Sequence, residues 1–193
     1  MPRIDRASLM SLETYARERP QFRAKVMAHK KDRTIALGEH VTLLFEDELT
    51  IRYQVQEMLR VERIFEEDGI RDELDAYNPL IPDGRNLKAT LMVEFPDPEE
   101  RKRKLHELIG IEDKAWLRVA AHERVWAIAD EDLDRETDEK TSSVHFLRFE
   151  LTKSMADTLK SGASLSIGVD HPRYSASMDA MPAVRDSLAK DLV

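Results

Sequence analysis

A chain of 193 residues, 41% hydrophobic and 35% charged, can bury a core without a metal or disulfide staple, and its composition excludes a disordered tail or a fibre. It has no cysteine, which removes disulfides, a thiol nucleophile and any iron–sulfur cluster held by its own thiolates. A net charge of −8 argues against general nucleic-acid binding, since phosphate contacts need concentrated positive charge.

Residues 9–29 favour helix, and Pro20 predicts either two short helices or a restart with proline in a first turn. The opening residues Met1-Pro2-Arg3-Ile4-Asp5-Arg6 carry bases but no apolar run, and no stretch approaches the roughly 18 apolar residues of a membrane span; a cytoplasmic protein is expected. Arg17, Arg19, Arg23, Lys25, Lys30, Lys31 and Arg33 crowd one segment, read as solvated surface. Strands follow at 33–37 and 40–45 across Gly38-Glu39, the second alternating cleanly. A long helix is predicted over 47–67 with Gly69 as its stop, then a loop over 72–86 marked by Asn78-Pro79 and Pro82-Asp83-Gly84.

Residues 87–95 read as a strand, and Asp97-Pro98-Glu99-Glu100 opens a helix that Gly110 ends. Residues 115–129 suit one bent strand or two short ones, 143–151 another, 154–160 a short helix and 163–169 a further strand. Beyond Pro172 a loosely held tail is expected, with helical propensity over 181–192. The element order predicts an α+β fold: a mixed or mainly antiparallel sheet with helices on one face, plus a helical N-terminal segment at 1–32. One domain over 1–174 and a tail at 175–193 follow.

Nucleotide-binding glycine loops, His-Glu-x-x-His, Glu-x-x-His and Gly-x-Ser-x-Gly are all missing. Asp130-Glu131-Asp132-Leu133-Asp134 alternates acids as a calcium loop does. Arg135 and Thr141 occupy the positions that need Gly and Glu, so an acidic linker is the reading.

On the long helix, Ile51, Val55, Met58 and Phe65 fall on one stripe with Glu62 near its centre and Gln54 on its flank. A buried carboxylate needs a partner. His145 shares a strand face with Leu147, Phe149 and Leu151, which makes it the histidine to expect inside and a companion for Glu62. Gln54, Glu62 and His145 are thus the candidate ligand or buried polar site. His40, Glu57, Tyr77, Asn78, Arg148 and His171 rank below them. Neither a metal nor an organic cofactor is specified.

Four runs carry a resemblance: Ala36-Leu37-Gly38-Glu39-His40-Val41-Thr42-Leu43-Leu44-Phe45-Glu46, Tyr53-Gln54-Val55-Gln56-Glu57-Met58-Leu59-Arg60, Asp75-Ala76-Tyr77-Asn78-Pro79-Leu80-Ile81-Pro82 and His145-Phe146-Leu147-Arg148-Phe149-Glu150-Leu151. Together they resemble a bacterial family known only as a domain of unknown function, number thirty-five-oh-one. No activity or catalytic residue comes with it. The resemblance implies a genomic neighbourhood of rubrerythrin-like and iron–sulfur oxidoreductase genes, hence an accessory protein that docks on a redox partner in peroxide defence or electron transfer. A metal- or small-molecule-dependent enzyme using the Glu62–His145 pair is the alternative, and RNA binding through the 17–33 segment a third reading.

Overall fold

Ser11 opens the first helix, α1 (Leu12–Lys31), its side chain accepting from the Thr14 amide. The computed structural model describes residues 3–131, 137 and 140–193. Pro20 lies inside α1 without dividing it. It cannot bond the Ala16 carbonyl one turn back, but Ala16 and Pro20 are both exposed, so water can take that role. The chain then forms β1 (Thr34–Leu37) and β2 (Val41–Glu46), an antiparallel hairpin. Its turn uses Gly38 at φ +72°, where a Cβ would sit 2.6 Å from the Tyr174 hydroxyl.

Asp47 and Thr50 bond each other's amides in a reciprocal cap that starts α2 (Glu48–Val61). The helix stops well before the predicted residue 67. Arg63 adopts φ +55°, the Ile64 amide bonds the Leu59 carbonyl at 2.9 Å, and Ile64 packs on the cluster containing Leu59: a left-handed C-terminal cap built without glycine. A new helix, α3 (Glu67–Tyr77), occupies part of the predicted loop, with Ile70 and Leu74 four apart on its buried face. Gly69 is inside it rather than a stop.

After a 3-10 turn at Asn78–Leu80 come β3 (Asn86–Val93) and α4 (Pro98–Glu107), the latter capped by Asp97 as predicted. Residues 115–129 form three strands: β4 (Ala115–Val119), β5 (Val125–Trp126) and β6 (Ile128–Ala129). β7 (Val144–Glu150), α5 (Lys153–Lys160), β8 (Leu165–His171), β9 (Tyr174–Asp179) and α6 (Pro182–Ala189) complete the order. Most of the acidic, calcium-like run (Asp132, Asp134, Arg135, Glu136, Asp138, Glu139) lies outside the described residues.

The fold is α+β, and every strand pairing is antiparallel. The strands divide into two sheets, ordered β1-β2-β3-β7-β6 and β5-β4-β8-β9. Both sheets line one apolar core with α4, α5 and α6, including Leu43, Leu91, Phe149, Leu117, Ile167, Leu159 and Leu188. Only Ala127 separates β5 from β6, and its amide bonds the Ala115 carbonyl, so the chain crosses between sheets at a corner. Elsewhere the Tyr174 hydroxyl donates to the Leu37 carbonyl and accepts from the His40 amide, tying β9 to the first hairpin. Ile4, Leu9, Ile51, Val55, Leu59, Ile70, Leu74 and Ile81 form a second cluster among α2, α3 and the N-terminal segment.

Two further expectations change. Residues 175–193 are not a loose tail, because β9 pairs along its length with β8 and Val184, Leu188 and Leu192 enter the main core. Arg33, grouped in the sequence with the solvated basic segment, is 1% exposed. Among the described residues no helix is long and apolar enough to cross a membrane.

Candidate functional site

Glu62 and Gln54, predicted at an inward-facing site, are both exposed. The stripe that placed them relied on Phe65, which lies beyond the left-handed turn at Arg63 and is 68% exposed. The face that α2 buries carries Ile51, Val55 and Leu59, with Tyr53 and Gln56 beside them. Gln56 takes the core role expected of Gln54: its Oε1 accepts from the Met10 amide at 2.7 Å and its Nε2 donates to the Met10 carbonyl.

His145 is fully buried, on the face of β7 shared with Leu147 and Phe149. Its carboxylate neighbours are Asp130 and Glu112, not Glu62. The Nδ1 atom lies 2.5 Å from Asp130 Oδ2; Nε2 lies 2.8 Å from Thr141 Oγ1, 3.1 Å from the Ser142 carbonyl and 3.6 Å from Glu112 Oε2. Thr141 Oγ1 in turn reaches Glu112 Oε2 at 3.2 Å. Asp130 is held by its own backbone pairing with Phe146 and by φ +46°, a conformation aspartate tolerates better than most residues. One ligand atom from each of Glu112, Asp130 and His145 lies within 4.8 Å of the others, so among the described residues these three could hold a divalent cation.

The left-handed residue also separates two neighbouring carboxylates. Asp130 turns to His145, while Glu131 forms a two-point bond with Arg148, at 2.7 and 2.8 Å. Arg148 also bonds Glu150, and Glu150 accepts from Asn86 Nδ2 at 3.0 Å. The Arg148 guanidinium holds the Glu131 carboxyl below the usual carboxylate range.

Arg148, Glu131, Glu150 and Asn86 line a cleft of about 600 Å³ between the outward side chains of β3 and β7 and the segment 78–85. Lys88, opposite Arg148 in the strand register, lines it too, together with Arg3 and Arg85. A smaller cavity of about 240 Å³, walled by Ala76, Leu80, Phe146 and Leu147, shares Lys88, Glu131 and Arg148 with it. Lys88 is half-buried, and its amine makes no hydrogen bond or ion pair with any described residue. Burial, the largest influence, pushes its amine below the ordinary lysine value; Glu131 opposes that and Arg148 adds to it.

The lower-ranked residues are spread through the fold. His40 stacks on Phe95, ring centres 4.1 Å apart, with Nδ1 on the Glu94 carbonyl. Glu57 joins α2 to α1, accepting from Tyr15 and from Arg19 at 2.7 Å each. Asn78 bonds both backbone groups of Ile4, at 2.8 and 3.0 Å, and borders the cleft; Tyr77 packs on the second apolar cluster. His171 is buried, with Nε2 donating to the Ile109 carbonyl and Nδ1 accepting from the Arg173 amide. Of the residues sequence reasoning missed, Lys88 left a signal: it is the one charged residue of a strand whose inward side, Leu87, Ala89, Leu91 and Val93, is wholly apolar. Glu112, in a 3-10 turn, left none.

A family model described as "Protein of unknown function (DUF3501)" matches residues 3–192. No curated protein matches the chain. It is similar to a crystal structure of a novel protein of unknown function from Burkholderia pseudomallei K96243, with 56% identity over 100% of each chain and a TM-score of 0.95.

Proposed function

The chain belongs to the DUF3501 family, and from that premise we propose that it binds a small polar metabolite in the cleft over β3 and β7, where Lys88 meets an acceptor oxygen of the ligand. The observation that carries this reading is the amine itself: half-buried at a cleft wall, with no described residue to accept from it. A sequestered charge is costly until something accepts its hydrogens. The cleft's volume, about 600 Å³, falls in the range typical of small-molecule sites. Arg148, fixed by Glu131 and Glu150, supplies a rigid wall that need not reorganise on binding. Calorimetric titration of the full chain with glutarate, 2-oxoglutarate and inorganic phosphate tests it. Saturable binding of at least one probe, weakened about tenfold or more, or at least ~1.4 kcal/mol, in Lys88→Met, is expected. No binding by the parent chain, or equal affinity in the variant, overturns it.

The second reading is the accessory role beside a rubrerythrin-like or iron–sulfur oxidoreductase that the family resemblance implies. Val61 and Phe65, 58% and 68% exposed on either side of the α2–α3 turn, favour it, because exposed large apolar side chains are what a protein partner covers. Recovery of the intact chain from native cells, with and without peroxide, should return such an oxidoreductase and lose it for Phe65→Ser. Repeated recovery without one removes the reading.

A further inference from the structure

We propose that Lys88 is a nucleophile whose amine condenses with the carbonyl group of a small oxo acid held in the cleft, forming an imine at Nζ. The inference rests on the ligand-binding reading of the same cleft. Lys88 stands where the two cavities share a wall, and the smaller is lined by Ala76, Leu80, Phe146 and Leu147. Its backbone is fixed on β3, which pairs on both sides, with β2 and β7; a site carried by a central strand is held more tightly than one on a loop. A lysine must lose a proton before it can attack, and burial against the apolar walls of the smaller cavity promotes that loss. Arg148, directly opposite in the register, acts in the same direction, while Glu131, Asp83 and Glu150 act against it, and burial is the largest influence. The direction in which burial moves the Lys88 amine agrees with this.

The chemistry is self-contained. The amine lone pair attacks the carbonyl carbon, a C–N bond forms, and the carbonyl oxygen takes a proton to give a carbinolamine. Loss of that hydroxyl with a further proton, as water, leaves the C=N bond; one amine and one carbonyl become one imine and one water, with no oxidation or reduction. Asp75, Asp83, Glu131 and Glu150 border the cleft and are the carboxylates able to accept and return the proton. The acid end of the substrate is assigned to Arg85 and Arg3. Both line the cleft with exposed guanidinium side chains, and their single contacts with Asp83 (3.5 Å) and Asp75 (3.0 Å) are cheap to exchange for a ligand carboxylate.

The test is reductive trapping. The full chain is incubated separately with pyruvate and 2-oxoglutarate, treated with cyanoborohydride, digested and mapped by mass spectrometry. Alkylation at Lys88 at least tenfold above any other lysine is expected with one or both, as is its loss in Lys88→Arg, which keeps the charge. Because the site comparison is made within the parent chain, it does not depend on a variant folding. Evenly spread or absent labelling overturns the nucleophile. If glutarate, which has no ketone carbonyl to condense with, still binds in a Lys88-dependent way, the ligand-binding reading survives that failure; if neither trapping nor binding occurs, both fall.

Discussion

Replacing Arg33 with methionine removes a guanidinium that is 1% exposed while keeping most of its aliphatic volume. Nε donates to the Phe45 carbonyl at 2.9 Å and Nη2 to the Glu46 carbonyl at 3.0 Å. Nη1 reaches Ser187 Oγ at 3.3 Å, and the group pairs with Asp191 and, at 3.5 Å, with Asp47. Arg33→Met therefore strips the Asp191 carboxylate, its side chain 10% exposed, of its main counter-charge and leaves two β2 carbonyls without that donor. Breaking a buried pair from one side costs about 3–5 kcal/mol. In a chain of this size each 1 kcal/mol lowers the melting temperature by about 2–4 °C, so a fall of roughly 6–20 °C is expected at pH 7.5 by circular dichroism. Burial already holds the Asp191 carboxyl up at about 6, against an ordinary 3.8. Between those values the folded chain binds more protons than the unfolded one, so the contribution of Asp191 to stability falls as pH rises through the window. Without Arg33 the carboxyl rises further, and the variant's deficit should shrink as the pH is lowered from 7.5 to 5. Arg33→Met with Asp191→Leu should recover most of the loss, because an apolar pair has no charge to desolvate. A loss below about 1 kcal/mol, or one that neither acid nor the second substitution relieves, would refute the reasoning that Arg33 and Asp191 stabilise the fold as a buried pair.

Gly168→Ala would place a methyl 2.5 Å from Trp116 Cζ2 and 2.8 Å from Ser177 Cβ, so a loss of about 1–3 kcal/mol is expected, with a shift in tryptophan emission; an unchanged melt and spectrum count against it. A hydrogen bond from Arg19 leads the influences that hold the Glu57 carboxyl down at about 2, from 4.5. Its stabilisation is thus present above about 4.5 and lost as pH falls toward 2; urea unfolding from pH 5 to 2 should show a flatter acid limb for Glu57→Gln, and an identical limb contradicts the assignment. Because His145 finds oxygen partners at both ring nitrogens, dialysis against a chelator should move the melting temperature by less than about 2 °C. A much larger fall would show a cation bridging Glu112, Asp130 and His145.

The composition, the period-two alternation along β2 and β7 and the Asp97-Pro98 cap specified an α+β chain with antiparallel strands, and the same alternation predicted that His145 faces inward. These are local signals, each complete within a few residues. What meets His145, by contrast, depends on β6 pairing with β7 and on a 3-10 turn brought beneath them, and neither leaves a periodicity to read. The end of α2 was illegible for a related reason: a left-handed cap usually announces itself by glycine, whereas here Ile64 packing against the cluster around Leu59 holds Arg63 in that conformation and turns Glu62 outward. Arg33 and Asp191, 158 residues apart, and Lys88 at its cleft wall likewise acquired their environments only when distant segments closed over them. The alternation along the strands marks which of their residues turn inward; only the packing of elements against one another decides where the helices end and which buried polar groups face each other, because that contact is made across the fold and not along the chain.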